Sequence, residues 1–258
     1  MLQPLSAILA TALALALSAP AQCGLPPLRP GPFPFRAGET LRYELDVMGV
    51  VRAGTVFLSV ERPVIGGQIP FKARIRNTSV FAKVRRVTGI ALSWVDARTL
   101  RPERYVDETL EDGVKKTSDT RIPVGASEIT IASQFGDRQE RITAARQGEV
   151  LDALSFLYFL RAASLRPGQA ICLDVVANRR YWRLAATVAS GNDRIDSEAG
   201  IFDTVRIDGI ATRADKPEAR RPIHLWISSD SRHLPVAVVS EVDLGPVKLM
   251  LSRVSGGG

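Results

Sequence analysis

The chain has 258 residues, 45% hydrophobic, 24% charged and 6% aromatic, an ordinary globular balance with room for one large β domain or two small ones. Lys and Arg outnumber Asp and Glu by 34 to 27, but arginines such as Arg74, Arg76, Arg85, Arg86, Arg179, Arg180, Arg220 and Arg221 are scattered singly or in pairs, and no aromatic-interleaved basic stripe forms, which argues against a nucleic-acid partner. Two cysteines, Cys23 and Cys172, and two histidines, His224 and His233, give neither a close-spaced zinc ligand set nor a Cys-His nucleophile, and no cofactor is expected.

Residues 7–17 are almost entirely Ala and Leu, and Ala19-Pro20-Ala21 places small residues at −3 and −1 for cleavage before Gln22. Residues 1–21 therefore read as an export signal, although residues 1–6 carry no Lys or Arg. The apolar core is too short for a stop-transfer helix, and nothing later is long and apolar enough to be a transmembrane helix. The location expected is periplasmic or secreted. A lipid anchor on Cys23 fits less well, since Gln22 and Pro20 stand where that signal wants a small and an aliphatic residue. In an oxidising compartment Cys23 and Cys172 are disulfide candidates, the alternatives being two thiols or a lipidated Cys23.

Residues 22–36 are rich in proline and read as an extended arm, with Phe33 and Phe35 able to dock on the domain. Residues 37–253 read as a single β-rich domain. Leu41, Tyr43, Leu45 and Val47 alternate with polar residues, as do Val56, Leu58 and Val60, giving a first hairpin about a turn at Gly49. Residues 71–78 and Ile90, Leu92 and Trp94 make further strands, with residues 80–86 a short helix or a strand between them. Residues 104–110 and 115–122 flank the turn signal Glu111-Asp112-Gly113, and Ile129 and Ile131 mark another strand before a turn at Gly136-Asp137.

Residues 151–161 are the one strong helix candidate. Leu151, Leu154, Tyr158 and Arg161 recur at i, i+3, i+7 and i+10, and the run is apolar almost all round, as expected of a buried helix. Asp152 suits the N-cap or first turn, Arg161 the C-terminal end, and Pro167-Gly168 the stop. Strands then resume through Ile171, Leu173 and Val175, a turn at Asn178-Arg179, residues 181–188, Ile195 to Ile210, residues 223–227, 234–242 and, after a turn at 244–246, 247–251. Residues 254–258 read as a disordered tail. About fourteen short strands with one helix predict a mainly β fold: a large curved antiparallel sheet forming a partly or fully closed barrel, with one buried helix packed on it.

Three blocks carry a family resemblance. They are the run from Phe35 to Tyr43 with Gly49 and Gly54, the run from Asp152 to Arg161, and Leu225-Trp226-Ile227-Ser228-Ser229-Asp230 through Leu234-Pro235-Val236. In this order they resemble the DUF3108 family of exported bacterial proteins over residues 35–251. The resemblance implies an exported location and the architecture above, and no activity. Ala153 stands where the family more often has proline, which removes a helix-start signal. The block around Trp226 is also similar, more weakly, to the LolA/LolB-like periplasmic lipoprotein carriers, whose half-open barrels bind acyl chains.

A curved sheet with a helix over it makes a concave apolar site, and Asp152, Tyr158, Arg161 and Trp226 are the candidate ligand-binding residues. Each also has a purely structural reading: Asp152 as cap, Arg161 as ion-pair or dipole partner, Tyr158 and Trp226 as core. The candidate partners are a lipid or other amphiphile, or an envelope protein meeting an exposed edge and the arm. Enzymatic chemistry, such as glycan or peptide hydrolysis, is poorly supported. Asp107 with Glu108 and Glu111 with Asp112 read as solvated hairpin acids, Ser155 lacks a Gly-x-Ser-x-Gly setting, and neither histidine sits in a catalytic motif.

Overall fold

The computed structural model describes residues 23–48, 51–64, 66–242 and 245–256. The expected signal with its cleavage point between Ala21 and Gln22, the turn at Gly49 and Leu244 lie outside the described residues.

Eight strands come first: β1 (Thr40–Val47), β2 (Val51–Val60), β3 (Gln68–Asn77), β4 (Val87–Asp96), β5 (Pro102–Glu111), β6 (Val114–Arg121), β7 (Glu128–Phe135) and β8 (Arg138–Ala145). A short β9 (Val150–Asp152) leads into α1 (Ala153–Ala162). Six more strands follow: β10 (Ala170–Ala177), β11 (Arg180–Ser197), β12 (Gly200–Arg213), β13 (Arg220–Ser228), β14 (Pro235–Val242) and β15 (Gly245–Ser255). All fifteen strands form one sheet, in the order β8-β7-β6-β5-β4-β3-β2-β1-β15-β14-β13-β12-β11-β10-β9. Every pair is antiparallel except β9 with β10.

This order dictates the shape. The two ends of the chain meet in the middle of the sheet, where β1 pairs with β15 from Thr40↔Ser255 to Val47↔Val247. β8 and β9, consecutive in sequence, are its two opposite edges. Laid flat at ~4.8 Å per strand, fifteen strands would span roughly 65–70 Å. Residues 146–149 join the two edges, and so short a link reaches about 18 Å. The sheet has to roll until its edges come together. Main-chain hydrogen bonds do not close it. Side chains do: Ser93 on β4 donates to Asp152 on β9, and Arg101 meets Glu149 at 2.8 Å. The β10–β11 turn delivers Arg179 to Asp107 at 2.5 Å and Arg180 to Glu140 at 2.9 Å.

That turn holds both Asn178 and Arg179 at positive φ, 49° and 60°, the left-handed pair that a tight hairpin needs. Asp107 therefore departs from the solvated acid expected. It is 5% exposed, paired with Arg179 and accepting from Ser118. Its strand faces inward, and a residue far away in sequence neutralises it.

The helix begins at Ala153, two residues later than expected, because Leu151 and Asp152 belong to β9. β8 was not expected; its sequence RQERITAA has too few apolar residues to alternate visibly. The final strand continues to Ser255, paired with Thr40, so residues 254 and 255 belong to the sheet. The arm lies against the domain, with bridges Gly24↔Ile171 and Leu28↔Ala163. Cys23 and Cys172 form a disulfide across a Cα separation of 5.2 Å.

Candidate functional site

The concave face of the rolled sheet can be followed along the register. Residues directly across a pair point to the same side, so Phe71, Ser93, Tyr105, Thr120 and Ile131 form one inward row. α1 fills only one end of this concavity.

Its first residue is capped by Asp152. The carboxylate accepts from the backbone of Leu154 at 2.8 Å and Ser155 at 3.0 Å, and the Asp152 N–H in turn donates to the Ser155 hydroxyl at 2.8 Å. Burial pushes the Asp152 carboxyl up to about 6, against the opposing pull of bonds from Ser93, Ser155 and Leu154. Tyr158 stacks on Phe71 at 3.9 Å between ring centroids and meets Phe35 edge-on at 5.1 Å. Its hydroxyl is buried with no partner among the described residues, and burial raises its pKa.

Arg161 is wholly buried. Its guanidinium forks onto Glu39 at 2.5 and 3.0 Å, donates to the carbonyls of Pro34 and Arg232, and lies 5.2 and 5.4 Å from the Phe35 and Tyr158 rings. These acceptors offset much of the cost of burying the guanidinium, although its Nε is buried with no partner among the described residues. Glu39 was not singled out in the sequence; its place one residue before the first alternating strand, opposite a lone apolar-helix arginine, was the available signal.

Asp152, Tyr158 and Arg161 are thus brought together along one helix, each with protein neighbours. Trp226 is set apart on the convex face of β13. Its indole N–H donates to Asp193 at 2.8 Å, within a surface chain in which Arg206 bridges Asp193 and Asp208, and Asp208 meets His224 at 2.6 Å.

The other end of the concavity is uncovered. On β15 the inward Leu251 is fully buried, while Leu249, two residues on, is half-buried. The same step occurs from Val236 to Val238 on β14, from Leu225 to Ile223 on β13, from Phe71 to Ala73 and Ile75 on β3, and from Ser93 to Ala91 on β4. The partly exposed strip is apolar, with small residues at Ala73, Ala91 and Gly209. At Gly209 a Cβ would come within 2.7 Å of the Ala186 Cβ. A separate open groove of about 1290 Å³ lies on the convex side of β10–β13, with the Cys23–Cys172 bridge, Asp174, Arg183 and His224 among its lining. No helix among the described residues is long and apolar enough to cross a membrane.

A single, almost wholly antiparallel sheet rolled about α1 defines a β-barrel-like protein. The chain belongs to the family described as "Protein of unknown function (DUF3108)", whose model matches residues 42–252. Among solved structures it is similar to a β-barrel-like protein of domain of unknown function DUF1849 from Brucella abortus, with a TM-score of 0.55 at 9% identity over 86% of this chain and 98% of that one. Looser likenesses are an exported protein with a YmcC-like fold from Bacteroides fragilis (TM-score 0.34, 8% identity, 87% and 98% covered) and a lipoprotein from Parabacteroides distasonis (TM-score 0.36, 7% identity, 86% and 97% covered). The Brucella likeness shows a shared fold alone. No curated protein matches this chain.

Proposed function

We propose that this chain is an exported envelope protein that binds a lipid or other amphiphile along the uncovered part of its concave face. The observation that carries this reading is the burial step along β3, β13, β14 and β15, where inward apolar side chains pass from fully buried to half-buried within two residues, and from the buried Ser93 to the half-buried Ala91 on β4. A concave apolar strip of this kind favours an apolar chain over water. The disulfide and the leader-like residues 1–21 support export to an oxidising space, with the periplasm as the compartment. In this reading Asp152, Tyr158 and Arg161 form the floor on which the site rests, and Trp226 belongs to the convex surface.

The test is mass spectrometry of the protein purified after export, under conditions that retain non-covalent adducts, followed by uptake of a fluorescent fatty acid. A lipid-sized adduct or saturable uptake is expected, and Val238→Arg should abolish it with the thermal transition kept. Absence of both adduct and uptake in the native chain overturns the reading. It would favour an accessory role in which the arm or an open strand edge meets a protein partner.

A further inference from the structure

Residues 62–95 contain seven of the 34 Lys and Arg and no Asp or Glu. The remaining 27 cations face 27 anions, so this acid-free stretch carries a charge equal to the whole formal excess of +7; six of its seven cations lie on β3, β4 and the link between them, whose one acid is the terminal Asp96. The tip of this hairpin is a short 3-10 turn, Phe81–Lys83. On either side of it Val80 and Val84 are 71% and 83% exposed, and Lys83 and Arg86 are exposed beside them. Arg85 is paired with Glu111, and Asp112 accepts from the Arg86 backbone, which fixes the tip against the β5–β6 turn. That turn adds Leu110 and Val114, also exposed. All of this lies at the end of the sheet where the concavity is uncovered.

We infer that this tip docks on an anionic phospholipid bilayer. Two aliphatic side chains held out in water between free-standing cations are unfavourable in solution and suited to an interface. The valines enter the headgroup–acyl boundary while the cations meet anionic headgroups, an attraction that adds with each Lys or Arg near the surface. A nucleic-acid backbone would satisfy the cations and leave the valines wet. The inference extends the reading above, since docking would set the uncovered concavity toward the headgroups. It rests on different residues and is measured without ligand, so failure of vesicle binding leaves fatty-acid uptake untouched, and the reverse.

The experiment is flotation of the exported protein with vesicles of phosphatidylcholine mixed with phosphatidylglycerol, against phosphatidylcholine alone, at low and high salt. Binding to the anionic vesicles only, weakened by salt, is expected. Lys83→Glu with Arg86→Glu should lower partitioning on the order of tenfold or more. Val80→Asp with Val84→Asp should do the same with an unchanged thermal transition, and Val80→Leu with Val84→Leu should keep it. No binding to anionic vesicles by the native chain overturns the proposal. So does binding that the aspartate pair leaves intact and duplex DNA competes away, which would make the tip a polyanion patch.

Discussion

The two ends of the rolled sheet are built from the same alternating strands and behave differently. At one end α1, the arm and the Arg161–Glu39 pair fill the concavity, and Leu41, Phe71, Val95, Val236 and Leu251 are fully buried. At the other, the same strand faces carry residues of similar type left half-exposed. Strand chemistry therefore does not decide burial here. What decides it is whether another element reaches that end, and α1, ten residues long, is too short to serve both.

Removing the charge that anchors the filled end should have the largest effect. Arg161→Ala strands Glu39 without its counter-ion in the interior and should cost about 3–5 kcal/mol, read from chemical unfolding. Arg161→Lys should recover only part of this, because an ammonium lacks the planar fork. The most direct comparison of the two ends lies on one strand. Leu251→Ala should cost about 2–5 kcal/mol and Leu249→Ala about 1 kcal/mol. Equal losses would mean that the uncovered end is packed as tightly as the filled one.

The disulfide holds the arm onto the filled end across a sequence separation of 149 residues. Replacing both Cys23 and Cys172 by Ser should lower stability by about 2–4 kcal/mol, with a matching drop in thermal transition on reduction of the native chain. A smaller effect is expected from Asp152, and it depends on pH. Its carboxyl titrates near 6 in the folded protein against a usual 3.8, so between these values the folded state holds a proton that the unfolded chain has lost. Stability should fall as pH rises through that window, by on the order of 2 kcal/mol. Asp152→Asn keeps a capping oxygen and should flatten this slope. An unaltered slope in that variant would show that the carboxyl does not titrate there.

The alternation of Leu41, Tyr43, Leu45 and Val47, the turn at Asn178-Arg179 and the apolar run after Asp152 made much of the fold legible, because each is a local pattern with a local cause. The pairing of Cys23 with Cys172 followed from compartment. Other features depended on distant contacts. β9 is three residues long and parallel, too short for any period to show. Asp107 looked wet beside the Glu111-Asp112-Gly113 turn, and only the arrival of Arg179 explains its burial. The even spread of arginines hid the charged hairpin, whose signal was the absence of acids between Glu61 and Asp96. At the candidate site, the helix that bears Asp152, Tyr158 and Arg161 was visible, whereas the half-buried strip beyond it was not, since no residue type records how far a helix reaches.

The meeting of β1 with β15 has a consequence for how the molecule is made. A growing chain lays down β1, one half of the sheet's centre, first and both edges midway, and β15, which follows the other strands, is the keystone between the two halves. Any product ending before Gly245 lacks β15 and leaves β1 and β14 each with an unpaired border. The architecture is thus indivisible in time: the sheet is complete only once β15 has been made.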